Sequence, residues 1–293
     1  MIVDAHHHVW RRADLPWLDG PMQPRIFGPY EAIRRDYPMA EYLSDIAGLG
    51  IEKSVYVQAN WARDRYLDEA EWVSSVALET GWPHAIIAYA DLTQVDARPQ
   101  LERLARLPLV RGVRMQLHWH ENPQYRFASV PDLAGDPVFK RNIARLSGYG
   151  FSFDLQVFSG QMAAAAELAR DCPEVTFILQ HAGMPEDLSD TGWEAWREGM
   201  SLLAAEPNVV TKLSAFGTFI HRVDADLIGR IYRETIALFG AGRCMFGTNL
   251  PIEKLWTDAQ TLVGAHVAAA SNLSALDREA IFIGCATRIY RLQ

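Results

Sequence analysis

Eight short apolar segments, each separated from the next by a stretch of helical periodicity, recur along a chain of 293 residues. No other feature constrains the fold as strongly. Parallel neighbouring strands need a long crossover, and a helix after every strand supplies it. Eight such units close most naturally into a (β/α)8 TIM barrel. Neither a fixed-period repeat nor a linker interrupts the chain, so one domain over residues 1–293 is expected. An open doubly wound sheet is the other parallel architecture, but no G-x-G-x-x-G follows any strand.

The segments read as strands are 2–10, 54–59, 85–90, 110–117, 152–157, 176–181, 209–214 and 244–249. Helical periodicity falls at about 40–49, 66–80, 98–106, 137–147, 161–170, 193–205, 224–239, 257–270 and 275–290. Gly50 suits a C-cap, Gly81 and Pro83 stop the second helix, and Ser274 suits an N-cap. Residues 10–39 form a long proline-rich loop holding Trp17, and a loop of that length with aromatics points to function rather than disorder.

Hydrophobic residues make up 49% of the chain and aromatics 11%, enough for a large core and too much for disorder. A net charge of -8 argues against nucleic-acid or anionic-membrane partners, although a local arginine cluster can still bind an anion. Cys172, Cys244 and Cys285 are far apart, which suits reduced thiols in a cytoplasm. No leader pattern or bilayer-length apolar run is present, so a soluble cytoplasmic protein is expected.

In a TIM barrel the active site lies at the C-terminal ends of the strands. Those ends carry His6 and His8, Gln58 and Asn60, Asp91, Arg114 and Gln116, Gln156, His181, Ser214 and Asn249. His6 and His8 are two residues apart, so on a strand both point the same way and His7 points opposite. With His181 they form a three-imidazole set, the count of a mononuclear zinc site with one position left for water or substrate. A metal-free site, with His181 or His8 as base, is the alternative. Arg114 suits a carbonyl oxygen or a carboxylate, because its planar fork grips a carboxylate with two donors. His118, Trp119 and His221 lie on loops placed to line an entrance, while His84 and His266 read as structural.

The first strand reads D-A-H-x-H with a following Trp, the sixth ends H-A-G, and the eighth reads M-F-G-T-N-L-P. Together these motifs resemble the amidohydrolase superfamily, in the branch of TIM-barrel hydrolases that includes lactonases for fuconolactone and pyrone dicarboxylate. The resemblance runs the length of the chain. It implies a site around the paired first-strand histidines and the sixth-strand histidine, with an aspartate ending strand eight as metal ligand or base. Asn249 stands at that position, and an amide cannot take a proton at neutral pH. No lysine ends strand four, and Gln156 stands where a metal-binding histidine often does, so a binuclear centre is not expected.

The expected function is opening of a small sugar-acid or dicarboxylate lactone. His181, His8 and Asn249 are the catalytic candidates, with Arg114, Gln58, Gln156, His118, Trp119, Ser214 and His221 against the substrate. Two other readings stand beside it: a lactone isomerase, because acyl migration needs no activated water, and a binding protein on an enzyme scaffold. The oligomeric state is left open.

Overall fold

The computed structural model describes residues 1–293. Eight strands form one parallel sheet in the order of the sequence, the (β/α)8 barrel that the alternation predicts. They are β1 (Ile2–His7), β2 (Ile51–Val57), β3 (Ala85–Tyr89), β4 (Val110–Arg114), β5 (Ser152–Leu155), β6 (Phe177–Leu179), β7 (Val209–Leu213) and β8 (Cys244–Phe246). The barrel closes beyond β8, where the Asn249 N–H donates to the His6 carbonyl at 2.7 Å and the His8 N–H to the Leu250 carbonyl at 2.8 Å. Gly247 permits that approach, since a Cβ there would lie 2.8 Å from the His6 Cβ.

Inside the barrel, Val3, Ala5, Val55, Val57, Ile87, Ile178, Val210 and Met245 form a dry apolar cluster. Its floor is the C-terminal segment, through Cys285, Ala286, Tyr290 and Leu292. The expected helix over 275–290 is interrupted by a π turn at Ala280–Gly284 between Ala275–Glu279 and Cys285–Tyr290.

The alternation of β1 carries a bulge that its residues do not announce. Val3 and Ala5 point inward, so simple alternation would send His7 inward too. Instead, the register on β2 slips between Asp4 and His7, placing one extra residue on β1. His6 then faces the other imidazoles of the mouth, 5.0 Å from His8 between ring centroids, while His7 stacks outward on Tyr42 at 4.0 Å. Asp4, also outward, accepts from the Tyr42 hydroxyl at 2.8 Å and the Thr248 hydroxyl at 2.6 Å, tying the first strand to the segment after the last.

Every strand ends earlier than its apolar run suggests, and after four of them the reason is backbone curvature at the mouth. Asn60, His181, Ala182, Met184, Ala215, His221 and Asn249 all have positive φ. A non-glycine residue in that region is strained, and such residues collect where surrounding structure holds a functional geometry. Here they follow β2, β6, β7 and β8.

Candidate active site

Residues 10–39 fold across the barrel mouth and turn it into a cavity. Trp10 and Tyr37 are paired through both backbone groups at 2.9 Å, and the Trp17 indole donates to the Ala59 carbonyl at 2.9 Å. The cavity beneath measures about 820 Å³ with its solvent-filled entrance. Trp10, Trp17 and Phe27 supply its apolar wall, and the polar wall holds His8, Arg114, Gln116, His118, Gln156, His181 and Asn249. Arg25 and Arg126 come in from loops, and no aspartate or glutamate lines the space.

Three histidines lie at the base. The His6 ring is 4.7 Å from that of His181 and 5.0 Å from that of His8, so residues of the first strand and of the turn after the sixth meet at one place in the mouth. His8 Nδ1 is 2.6 Å from the Val57 carbonyl, which can only accept; the ring therefore carries its proton there and leaves Nε2 free. His181 Nδ1 is held by the Ser214 hydroxyl at 2.8 Å. His6 sits deeper, with Nε2 buried and unpartnered and Nδ1 3.5 Å from the Lys212 ammonium.

Burial holds all three imidazoles well below the usual histidine range. Lys212 adds to this for His6, and Arg114 for His8 and His181. All three are neutral at physiological pH. Burial and Arg114 push His118 down to about 3 as well. Arg114, although burial lowers it to about 10, stays charged; one guanidinium nitrogen donates to the Gln58 carbonyl at 2.6 Å and Nε has no partner.

The residues singled out from sequence thus separate into two groups. His8, Asn60, Arg114, Gln116, His118, Gln156, His181 and Asn249 line the cavity, with His6 beneath them. Gln58, Ser214, Trp119 and His221 stand behind its wall. Gln58 braces Arg114, Ser214 holds His181, and Trp119 lies beneath the Arg126 guanidinium at 4.8 Å. His221 stacks on Trp256 at 5.7 Å and fills the space beside Gly28, where a Cβ would come within 2.8 Å of its ring.

Five groups, Asp154, Lys212, Glu253, Arg25 and Arg126, are not singled out by the sequence. Asp154 and Lys212 form an ion pair of 2.8 Å under the histidines with neither side chain exposed, and a charge in the middle of each apolar strand was its visible sign. Glu253, also fully buried, accepts from the Trp256 indole at 2.8 Å and lies 3.4 Å from the Asn249 amide nitrogen. Arg25 comes from the middle of a loop, where no periodicity marks it.

The family model described as amidohydrolase matches residues 3–292. The chain belongs to the amidohydrolase family. This amidohydrolase is 31% identical over 310 residues to the L-fucono-1,5-lactonase of Burkholderia multivorans, with 99% of this chain and 96% of that one covered. It is 29% identical over 254 residues to the L-fucono-1,5-lactonase of Burkholderia ambifaria, covering 86% and 81%. Among solved structures, a zinc-bound amidohydrolase from Burkholderia multivorans superposes with a TM-score of 0.83 at 28% identity over 100% of both chains. A putative 2-pyrone-4,6-dicarboxylic acid hydrolase from Pseudomonas putida shares the fold, with a TM-score of 0.74 at 21% identity over 100% of this chain and 98% of that one. The family read from the motifs of the first, sixth and eighth strands is thus the family of the whole chain. No helix of this amidohydrolase is long and apolar enough to cross a membrane.

Proposed function

We propose that this cavity hydrolyses a small lactone bearing a carboxylate. The relatives named as lactonases support the bond class. The substrate charge rests on one observation: a cavity wall that includes Arg25, Arg114 and Arg126 and no acid. Both Arg25 and Arg114 carry an Nε–H with no partner in the protein. A buried guanidinium donor without a partner is costly, and an anionic ligand removes that cost. The apolar wall of Trp10, Trp17 and Phe27 suits the ring.

In this reading Arg114 polarises the lactone carbonyl. His181 Nε2, with Nδ1 fixed by Ser214, takes a proton from water as the water oxygen attacks the carbonyl carbon. The ring C–O bond then breaks, and the imidazolium returns its proton to the leaving alkoxide. Burial and the nearby cations hold this imidazole below its usual range, so the imidazolium gives up its proton readily in the second transfer, while the first, for which the imidazole is a weakened base, depends on Arg114 drawing charge onto the carbonyl oxygen. His8, neutral and fixed by Val57, is placed to orient the water.

Of the two readings of these histidines, a single zinc or a metal-free site, the metal-free one suits the arrangement better. Although the three rings are neighbours, no three His, Cys, Asp or Glu side chains are arranged as a ligand set for an ion. No carboxylate joins the imidazoles, and both Lys212 and Arg114 place positive charge on them.

The test is to incubate the purified protein in oxygen-18 water with D-glucaro-1,4-lactone, which carries a carboxylate, and with neutral L-fucono-1,5-lactone. Opening of the first, with label in the new carboxylate, is expected to exceed opening of the second. A shifted ring without label would instead identify an isomerase, and preference for the neutral lactone would overturn the assigned substrate charge.

A further inference from the structure

Asn249 stands where the resemblance called for a carboxylate, and the buried residues behind it control what it offers to the cavity. Glu253, in the turn Ile252–Leu255 after β8, is fully buried and does not line the cavity. Each of its oxygens faces one donor: Oε1 the Asn249 amide nitrogen at 3.4 Å, Oε2 the Trp256 indole N–H at 2.8 Å. The Asn249 backbone is fixed independently, with φ at 58° and its N–H bonded to the His6 carbonyl at 2.7 Å. The side-chain oxygen of Asn249 accepts no bond within the protein, and the residue borders the cavity.

We propose that Glu253 is a positioning residue that turns the Asn249 amide so that its oxygen, not its nitrogen, meets the substrate. An ionised carboxylate can only accept, so the NH2 end must face Glu253 and the carbonyl end must face out. Strand eight then presents an acceptor without a base: it orients a water or a substrate hydroxyl beside His8 and His181 and leaves the proton to the imidazole. This role rests on the hydrolase reading above, whereas the orientation itself does not. The groups acting on the ionisation of Glu253 are the two donors already named, and burial pushes its carboxyl up to about 7. Its neighbour Lys254 is taken by Glu41 and Asp45. Protonated Glu253 would donate to the amide oxygen and reverse it, so the acceptor orientation belongs to the higher pH.

Glu253→Gln supplies the test, because a glutamine has one accepting end and two donors to satisfy. It is expected to lower kcat at least about tenfold on whichever of the two lactones above turns over, with KM within about twofold. Adding Trp256→Phe removes the competing donor and frees the glutamine oxygen for Asn249. E253Q/W256F should regain the kcat of W256F, and the rise in kcat near pH 7 that the proposal expects of the wild type, where Glu253 ionises, should be absent from it. Undiminished kcat in E253Q, or no recovery in the double variant, overturns the positioning role.

A second measurement needs no substrate. Asn249→Asp sets two carboxylates side by side, and they cannot both ionise cheaply. The Tm of N249D should fall more steeply than that of the wild type from about pH 6 to about pH 9, and N249D/E253Q should remove the excess. An N249D curve parallel to the wild type would contradict the contact itself. If neither lactone is opened while the Tm pattern holds, the lactone assignment fails and the Glu253–Asn249 contact survives.

Discussion

Lys212 and Asp154 meet at 2.8 Å inside the barrel with neither side chain exposed, and the ammonium lies 3.5 Å from His6 Nδ1. Gln180 adds a third partner, donating to the same carboxylate oxygen at 2.9 Å. Removing one member of such a pair leaves an uncompensated charge in the core, at a cost of about 3–5 kcal/mol. Lys212→Met should therefore lower unfolding free energy in urea by that amount, and K212M/D154L should recover much of the loss. A K212M variant as stable as wild type would show that the pair carries no such strain.

Glu69 sets a pH dependence of stability. It is buried under β2, accepts from the Tyr56 hydroxyl at 2.8 Å, and burial pushes its carboxyl up to about 7 from an ordinary value of 4.5. A carboxyl raised by folding binds its proton more tightly in the native state, so Glu69 by itself lowers stability as pH rises from about 4.5 to about 7, while the buried imidazoles, held low by folding, raise it over the same interval. Glu253 behaves alike, since burial pushes it up to about 7 too. Glu69→Gln should therefore make the unfolding free energy from urea melts climb more steeply with pH across that interval than it does in the wild type. A slope unchanged by E69Q would show that Glu69 ionises freely in the folded protein.

The barrel was legible because its strands are buried on both faces and read as apolar runs between helices. The site was legible where spacing pairs two side chains on one face, as for His6 and His8, or where a polar residue ends an apolar run, as for His181 and Asn249. What lay beyond the sequence depends on long-range geometry. The bulge in β1 sets which way the histidines face, yet only its register against β2 reveals it. Arg25 reaches the cavity because a long loop folds back over the mouth. Ser214 and Gln58 end strands as expected, but the positive-φ turns around them place both behind the wall rather than in it.

Arg25 is the group we expect to meet the substrate carboxylate. Its guanidinium lies 5.2 Å from the Trp17 ring, its Nε has no partner, and it borders the cavity. A hydrogen bond to a charged group is worth about 1.5–3 kcal/mol, or roughly tenfold to a hundredfold in KM. Arg25→Met should raise KM for D-glucaro-1,4-lactone by that factor and leave KM for L-fucono-1,5-lactone nearly unchanged. Equal effects on both would show that Arg25 contacts something other than the carboxylate.

Chelation separates the imidazole mechanism from a metal-assisted one. With two cations beside three imidazoles and no carboxylate among them, prolonged treatment with a chelator followed by metal analysis should leave kcat unchanged. Loss of kcat on chelation, restored by added zinc, would contradict the proposed proton transfer through His181.

The most direct measurement is kcat/KM for lactone opening by His181→Ala against the wild type, read alongside Tm. A loss of at least about 1,000-fold with Tm little changed is the expected result, because His181 is assigned the proton transfers on both sides of the reaction. Activity within a few-fold of wild type would contradict the account at its centre.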